Sequence, residues 1–176
     1  MLSADQAETH RLVALRALKV LDTPRENPFD RLVFVAAQAF RVPMAAMALV
    51  DADRQWFKAQ VGLPMQQTPR SQTLGSQAIQ SDAPLVVENA PADERFRGDP
   101  LVAEAPFIRF YAGAPLVGPG GFRVGSLCVL DRVARSPSTD QVRLLARLAE
   151  DASELLMARF VDDGTIRDWL GYASAF

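Results

Sequence analysis

Apolar residues recur at three- and four-residue intervals twice near the start of the chain, at Leu12, Val13, Leu15, Ala17 and Val20 and again at Phe29, Leu32, Val33, Ala36, Ala37 and Phe40. That period puts one stripe of each segment on a core, so the spacing predicts two helices. Ser3-Ala4-Asp5-Gln6 has capping-box spacing and opens the first, which stops near Asp22-Thr23-Pro24. Asn27 reads as the cap of the second, with Pro28 at the first helical position, where the missing N–H costs nothing. From Pro43 the period changes. Met44 to Val50 and Gln55 to Val61 read as two strands joined across Asp51-Ala52-Asp53-Arg54. Gly62-Leu63-Pro64 and Thr68-Pro69-Arg70 punctuate a loop, and Leu74, Ala78 and Ile79 form the inward side of a short helix over Thr73 to Ile79. Pro84 to Glu88 is a short buried strand, followed by the turn-rich stretch Asn89 to Phe96. Phe107 to Val117 and Phe122 to Asp131 are the clearest strand pair, antiparallel across Gly118-Pro119-Gly120-Gly121. Ser138-Thr139-Asp140-Gln141 repeats the capping-box spacing, and Val142, Leu145, Leu148, Ala149, Ala152, Leu155 and Leu156 carry a last helix to about Phe160.

The strand connections are mostly too short for parallel crossovers, so the order predicts an α+β fold: a central antiparallel sheet with helices on one face. A chain of 176 residues fits one core, placed at residues 3–160, with a short tail over 161–176. Trp169, Leu170, Tyr172 and Phe176 make that tail too apolar for a solvated linker, and it is expected to dock on the domain or on a partner.

Charge narrows the function classes. With 19 Lys+Arg against 21 Asp+Glu, no excess of positive charge is available for phosphates or an anionic membrane, so neither nucleic acid nor membrane is an expected partner. The first residues lack the basic and apolar regions of a signal peptide, and no apolar run approaches the roughly 18 residues of a membrane span, which predicts a cytoplasmic protein. One cysteine, Cys128, and one histidine, His10, leave no intrachain disulfide, too few soft ligands for a metal, and no triad for hydrolysis. Cys128 lies in an apolar strand and reads as a small core side chain. Arg109 and Tyr111 share one face of their strand while Phe110 takes the other. Arg109 is either a two-point donor to a carboxylate or phosphate, with Tyr111 as an aromatic wall, or a folding partner of Asp51, Asp93 or Asp131.

Five motifs occur together: Leu21-Asp22-Thr23-Pro24, Phe29-Asp30, Arg54-Gln55-Trp56-Phe57, Arg109-Phe110-Tyr111-Ala112-Gly113-Ala114-Pro115-Leu116 and Gly125-Ser126-Leu127-Cys128-Val129-Leu130-Asp131. In this order they resemble a subgroup of the GAF domain family that commonly accompanies bacterial histidine kinases and cyclic-diguanylate enzymes. The resemblance runs from about Arg11 to Ala158. It implies a ligand-sized cavity between one sheet face and its covering helices and loops, together with N- and C-terminal helices that pack together and often dimerise. Asp93, Arg95 and Phe96 would then border the cavity. Where the subgroup has a Ser-Phe-Cys-x-His-like stretch, this chain has Thr73-Leu74-Gly75-Ser76-Gln77, so no thiolate, imidazole, metal or covalent-cofactor role carries over to Gly75 or Gln77. The cysteines of sulfoxide-reducing relatives and the ordered Asn-Lys, Phe, Asp-Glu set of cyclic-nucleotide binders are likewise missing. The expectation is a stand-alone signalling or regulatory module, not an enzyme and without a cofactor, that dimerises, meets a signalling partner and binds a small polar or anionic molecule non-covalently. Its ligand candidates are Arg109, Tyr111, Asp93, Arg95, Phe96, Ser76 and Gln77. Its dimer candidates are Leu12, Leu15, Leu145, Leu148, Ala152 and Leu155, spaced as a side-by-side helical seam. A metabolic enzyme on the same fold and a ligand-free dimerisation module are the alternatives.

Overall fold

A computed structural model describes residues 3–70 and 74–162. Two helices, α1 (Ala4–Ala17) and α2 (Asn27–Phe40), precede the strands β1 (Met44–Val50), β2 (Arg54–Val61) and β3 (Gln67–Pro69). Then come α3 (Leu74–Ala78), β4 (Leu85–Val87), α4 (Pro100–Ala103), β5 (Phe110–Val117), β6 (Arg123–Asp131) and the long α5 (Thr139–Asp162). The six strands form one antiparallel sheet in the order β3-β2-β1-β6-β5-β4.

Both capping boxes form. Ser3 and Gln6 exchange side-chain-to-backbone hydrogen bonds at 2.9 and 3.2 Å, and Ser138 and Gln141 do the same at 2.9 and 3.1 Å. Elsewhere the boundaries shift. Glu26, not Asn27, caps α2, and β5 begins at Phe110 because Phe107 takes a left-handed backbone with φ +57°. Two elements were not expected: β3, a three-residue edge strand ending on Pro69, and α4, a single turn capped by Asp99.

The sheet is covered on both faces, not one. β1 shows this most directly, because all seven of its residues are buried. Ala45, Met47 and Leu49 face a core beneath α1, α2 and α5, while Met44, Ala46 and Ala48 face a second core beneath α3, α4 and their loops. The long side of α5 lies along α2, with Gln141 Nε2 donating to Ala39 O at 3.0 Å. The end of α5 reaches the connection that follows α1, where Arg159 Nη2 donates to Lys19 O at 3.3 Å.

That packing corrects the seam expected for a dimer. Leu15, Leu145, Leu148 and Ala152 are buried within the chain's own core, because α5 rests on β5 and α2 and α1 rests on β6; only Leu12 and Leu155 stay half-buried. Trp169, Leu170, Tyr172 and Phe176 lie outside the described residues.

The connection between α1 and α2 is pinned from below. The pairing of β1 with β2 skips Lys58, with Met47 opposite Ala59 and Ala48 opposite Phe57, and Lys58, two residues after Trp56, stands on the helix side of the sheet as the extra residue of this bulge. Its fully buried ammonium donates to Thr23 Oγ1 at 2.8 Å, Pro24 O at 2.5 Å and Glu26 Oε1 at 2.7 Å, and stands 5.7 Å from the Phe29 ring. Glu26 Oε1 also accepts from Arg159 Nη1 at 2.5 Å, so the end of α5 joins the same network. Arg54 adds a two-point bond to Asp22 at 2.9 and 2.7 Å. The Leu21-to-Pro24 and Arg54-to-Phe57 motifs are thus two sides of one structural clamp.

On the far side of α1, Glu8 accepts from Arg11 at 2.8 Å and Arg70 at 2.5 Å, while Arg11 Nη1 donates to Val50 O at 2.6 Å.

Two predictions arise from these networks. Glu26→Ala leaves the buried ammonium without its counter-charge and should lower stability by about 3 kcal/mol in urea unfolding. Glu8, held by Arg11 first and Arg70 second, has its carboxyl lowered from 4.5 to about 2. A folded value below the unfolded one contributes stability that is present above pH 4.5 and lost as pH falls toward 2. Acid titration of the folded state should therefore be shallower between pH 4.5 and 2 in Glu8→Gln than in the unmodified chain.

Candidate functional site

The sheet face turned away from the long helices carries Ala46 and Ala48 from β1, Gln55 and Phe57 from β2, Tyr111 from β5 and Cys128 from β6. Leu74 and Gly75 of α3, Leu101 of α4, Pro106 and Ile108 close over it, and between floor and cover lies a cavity of about 30 Å³. That is room for about one water molecule. The lining is almost wholly apolar, Gln55, Thr68 and Tyr111 being the lining residues whose side chains carry a nitrogen or oxygen.

Gln55 decides how much space remains. It is buried, and a Cβ placed on Gly75 would lie 1.9 Å from its Oε1, so the carboxamide occupies the room that a side chain at position 75 would take. A glycine at position 75 and the glutamine of β2 therefore fit one another. The carboxamide is held loosely, its Nε2 lying 3.5 Å from Thr68 Oγ1.

Tyr111 crosses the floor over Gly113, where a Cβ would meet its hydroxyl at 2.3 Å, and that hydroxyl lies 3.3 Å from Ser126 Oγ. Burial pushes its phenol well above the ordinary value. The Cys128 thiol donates to Ala46 O at 3.5 Å and is pushed up to about 12, burial being the main cause, so no thiolate is available near neutral pH. Asp99 is buried behind the cover. Its Oδ1 accepts from Leu101 N at 2.8 Å, Oδ2 has no partner among the described residues, and burial raises its carboxyl.

Of the seven ligand candidates, Tyr111 alone lines the cavity. Arg109 Nη1 donates to Val102 O at 3.0 Å and Ile108 O at 3.1 Å, tying α4 to the start of β5 instead of pairing with Asp51, Asp93 or Asp131. Arg95 pairs with Asp93 at 2.7 Å and lies 4.9 Å from the ring of Phe96, which is buried in the second core. Ser76 Oγ donates to Arg70 O at 3.1 Å, and Gln77 points to solvent. Gln55, Thr68 and Gly75 were not anticipated. The available signal was the alternation of β2, which puts Gln55 on the face of Phe57, combined with the glycine at position 75. Among the described residues, no group of three or more His, Cys, Asp or Glu comes together to hold a metal ion, and no helix is long and apolar enough to cross a membrane.

Two glycine substitutions should separate a yielding wall from a rigid one. In Gly75→Ala the new methyl meets the far end of a flexible side chain, so Gln55 should swing aside and stability should change by less than about 1 kcal/mol. In Gly125→Ala the Cβ would fall 2.1 Å from Ala48 O, in the backbone of a paired strand, and the loss should be about 3 kcal/mol. Urea unfolding of the two variants side by side measures the contrast.

The family model for the GAF domain matches residues 29–157. A cyclic di-GMP phosphodiesterase of Pseudomonas aeruginosa is 39% identical over 152 residues, covering 86% of this chain and 25% of its own length, so this chain spans about a quarter of that relative. The GAF domain of an Acinetobacter phosphoenolpyruvate-protein phosphotransferase superposes with TM-score 0.61 at 22% identity, covering 88% of this chain and 94% of that one. A free methionine-R-sulfoxide reductase of Neisseria meningitidis, solved with its substrate, gives 0.59 at 20% identity over 91% and 93% of the two chains. At these identities the structures share the fold with this protein. With the family match over most of its length and the cavity between the sheet and α3, the chain belongs to the GAF domain family, whose members serve as signalling and regulatory sensor modules.

Proposed function

We propose that this GAF domain is a non-catalytic regulatory module of a larger signalling protein, and that its input is a small polar molecule taken up non-covalently over Gln55 and Tyr111. The observation that carries this reading is a buried glutamine side chain in an otherwise largely apolar cavity, with Thr68 and Tyr111 among the other lining residues. A few polar groups on an apolar wall are what orients a bound small molecule. A carboxamide donates and accepts without charge, which suits an uncharged polar edge. An anionic ligand would need Arg109, whose guanidinium is engaged with two carbonyls.

Uptake is coupled to movement, because a space of about 30 Å³ admits nothing larger than water until Gln55 and the α3 cover give way. The 39% identity to the much longer phosphodiesterase supports a place in cyclic-diguanylate signalling, inside the cytoplasm. A homodimer belongs to the same reading. Half-buried Leu12 and Leu155 and exposed Leu144 remain available to it on the outer sides of α1 and α5.

Thermal unfolding of the unmodified chain, Gln55→Leu and Arg109→Ala against a panel of small metabolites, cyclic nucleotides included, tests the site. A true ligand at about one hundred times its Kd should add about 2.7 kcal/mol, several degrees in Tm, to the unmodified chain and to Arg109→Ala but not to Gln55→Leu. Equal shifts in all three proteins would place binding elsewhere.

A further inference from the structure

Away from the cavity, α2 leaves a large side chain uncovered. Its buried side carries Phe29, Val33, Ala36, Ala37 and Phe40, while Phe34, on the other side, stays 56% exposed. Phe34 forms one wall of an open groove with Val61 at the end of β2 and with Arg25, Asn27, Asp30 and Arg31. The groove has two apolar side chains, Phe34 and Val61, and two guanidiniums, one of them tied to Asp30 at 3.2 Å.

We propose that this groove receives the chain's own segment 163–176, with the Trp169 indole against Phe34 and Arg31. Position argues for it first. Arg159 is bonded to Glu26, the cap of α2, and to Lys19 O, so α5 delivers the following residues beside the first turn of α2. Phe34 lies eight residues along that helix from Glu26, about 12 Å. Trp169 follows Asp162 by seven residues, a reach of up to about 23 Å when extended, so a turned-back strand of chain spans the distance with slack.

Composition argues for it next. Trp169, Leu170, Tyr172 and Phe176 supply the apolar surface that the groove lacks, and an indole under a guanidinium gains a cation–π contact. Charge is complementary. Asp162, Asp163 and Asp168 outnumber Arg167 along the approach, whereas Arg25 and Arg31 outnumber Asp30 in the groove.

Acrylamide quenching of tryptophan emission in the full chain tests the proposal. Trp56 is buried and gives a protected baseline, and Trp169→Phe isolates the signal of Trp169. Phe34 is exposed, so Phe34→Ser should keep the fold, which urea unfolding checks. We expect Trp169 in the unmodified chain to be quenched several-fold less than free indole, and to approach free indole in Phe34→Ser, with Arg31→Glu in between. Quenching like that of free indole in the unmodified chain would overturn the proposal, as would equal protection in Phe34→Ser. Protection lost on dilution, with the mass by light scattering falling from two chains to one, would assign the groove to a second copy and also overturn it.

Discussion

A single buried ammonium organises the helical side of this domain. Lys58 stands on the inner face of β2, where an uncompensated charge would be strongly unfavourable, and the fold answers by bringing three oxygens of the Thr23-to-Glu26 connection onto it. The connection therefore cannot wander, and the start of α2 is set relative to the sheet. Glu26 is shared with Arg159, so the same charge balance also locates the last turns of α5. Sheet, inter-helix connection and outgoing helix are held at one point by a network of five groups centred on the Lys58 ammonium and the Glu26 carboxylate.

The opposite face follows a different rule. There the lining is mostly apolar and the buried Gln55 carboxamide has a long bond, while the cover is tied to the sheet at its margins, by Arg109 on Val102 O and by Arg123 on Ile79 O.

Much of this architecture was legible in the sequence because it rests on local rules. The two capping boxes, the bounds of β1 and the hairpins follow from side-chain spacing and turn chemistry, and they appear where the pattern put them. β3 and α4 escaped because three or four residues are too few to show a period, and each depends on a partner outside the element: Arg54 and Gln55 across from β3, and the Ile108 amide on Leu101 O beside α4. Periodicity showed that α5 buries a stripe but not against what, and Leu145, Leu148 and Ala152 turned out to face the chain's own core. Arg109 and Gln55 illustrate the same limit at the cavity. A guanidinium satisfied by two carbonyls and a glutamine filling the place of an absent side chain are facts of three-dimensional proximity, which no spacing along the chain encodes.

The sheet ends on both sides in strands of three residues, β3 closing with Pro69 and β4 spanning only Leu85–Val87. Backbone pairing with a neighbouring chain is indifferent to side-chain identity, and it is the usual route to uncontrolled fibre growth. Here either margin offers such pairing only a few hydrogen bonds, one of them denied by a proline nitrogen. An edge this short leaves backbone pairing little hold, so the two margins of the sheet close the fold without inviting a further strand.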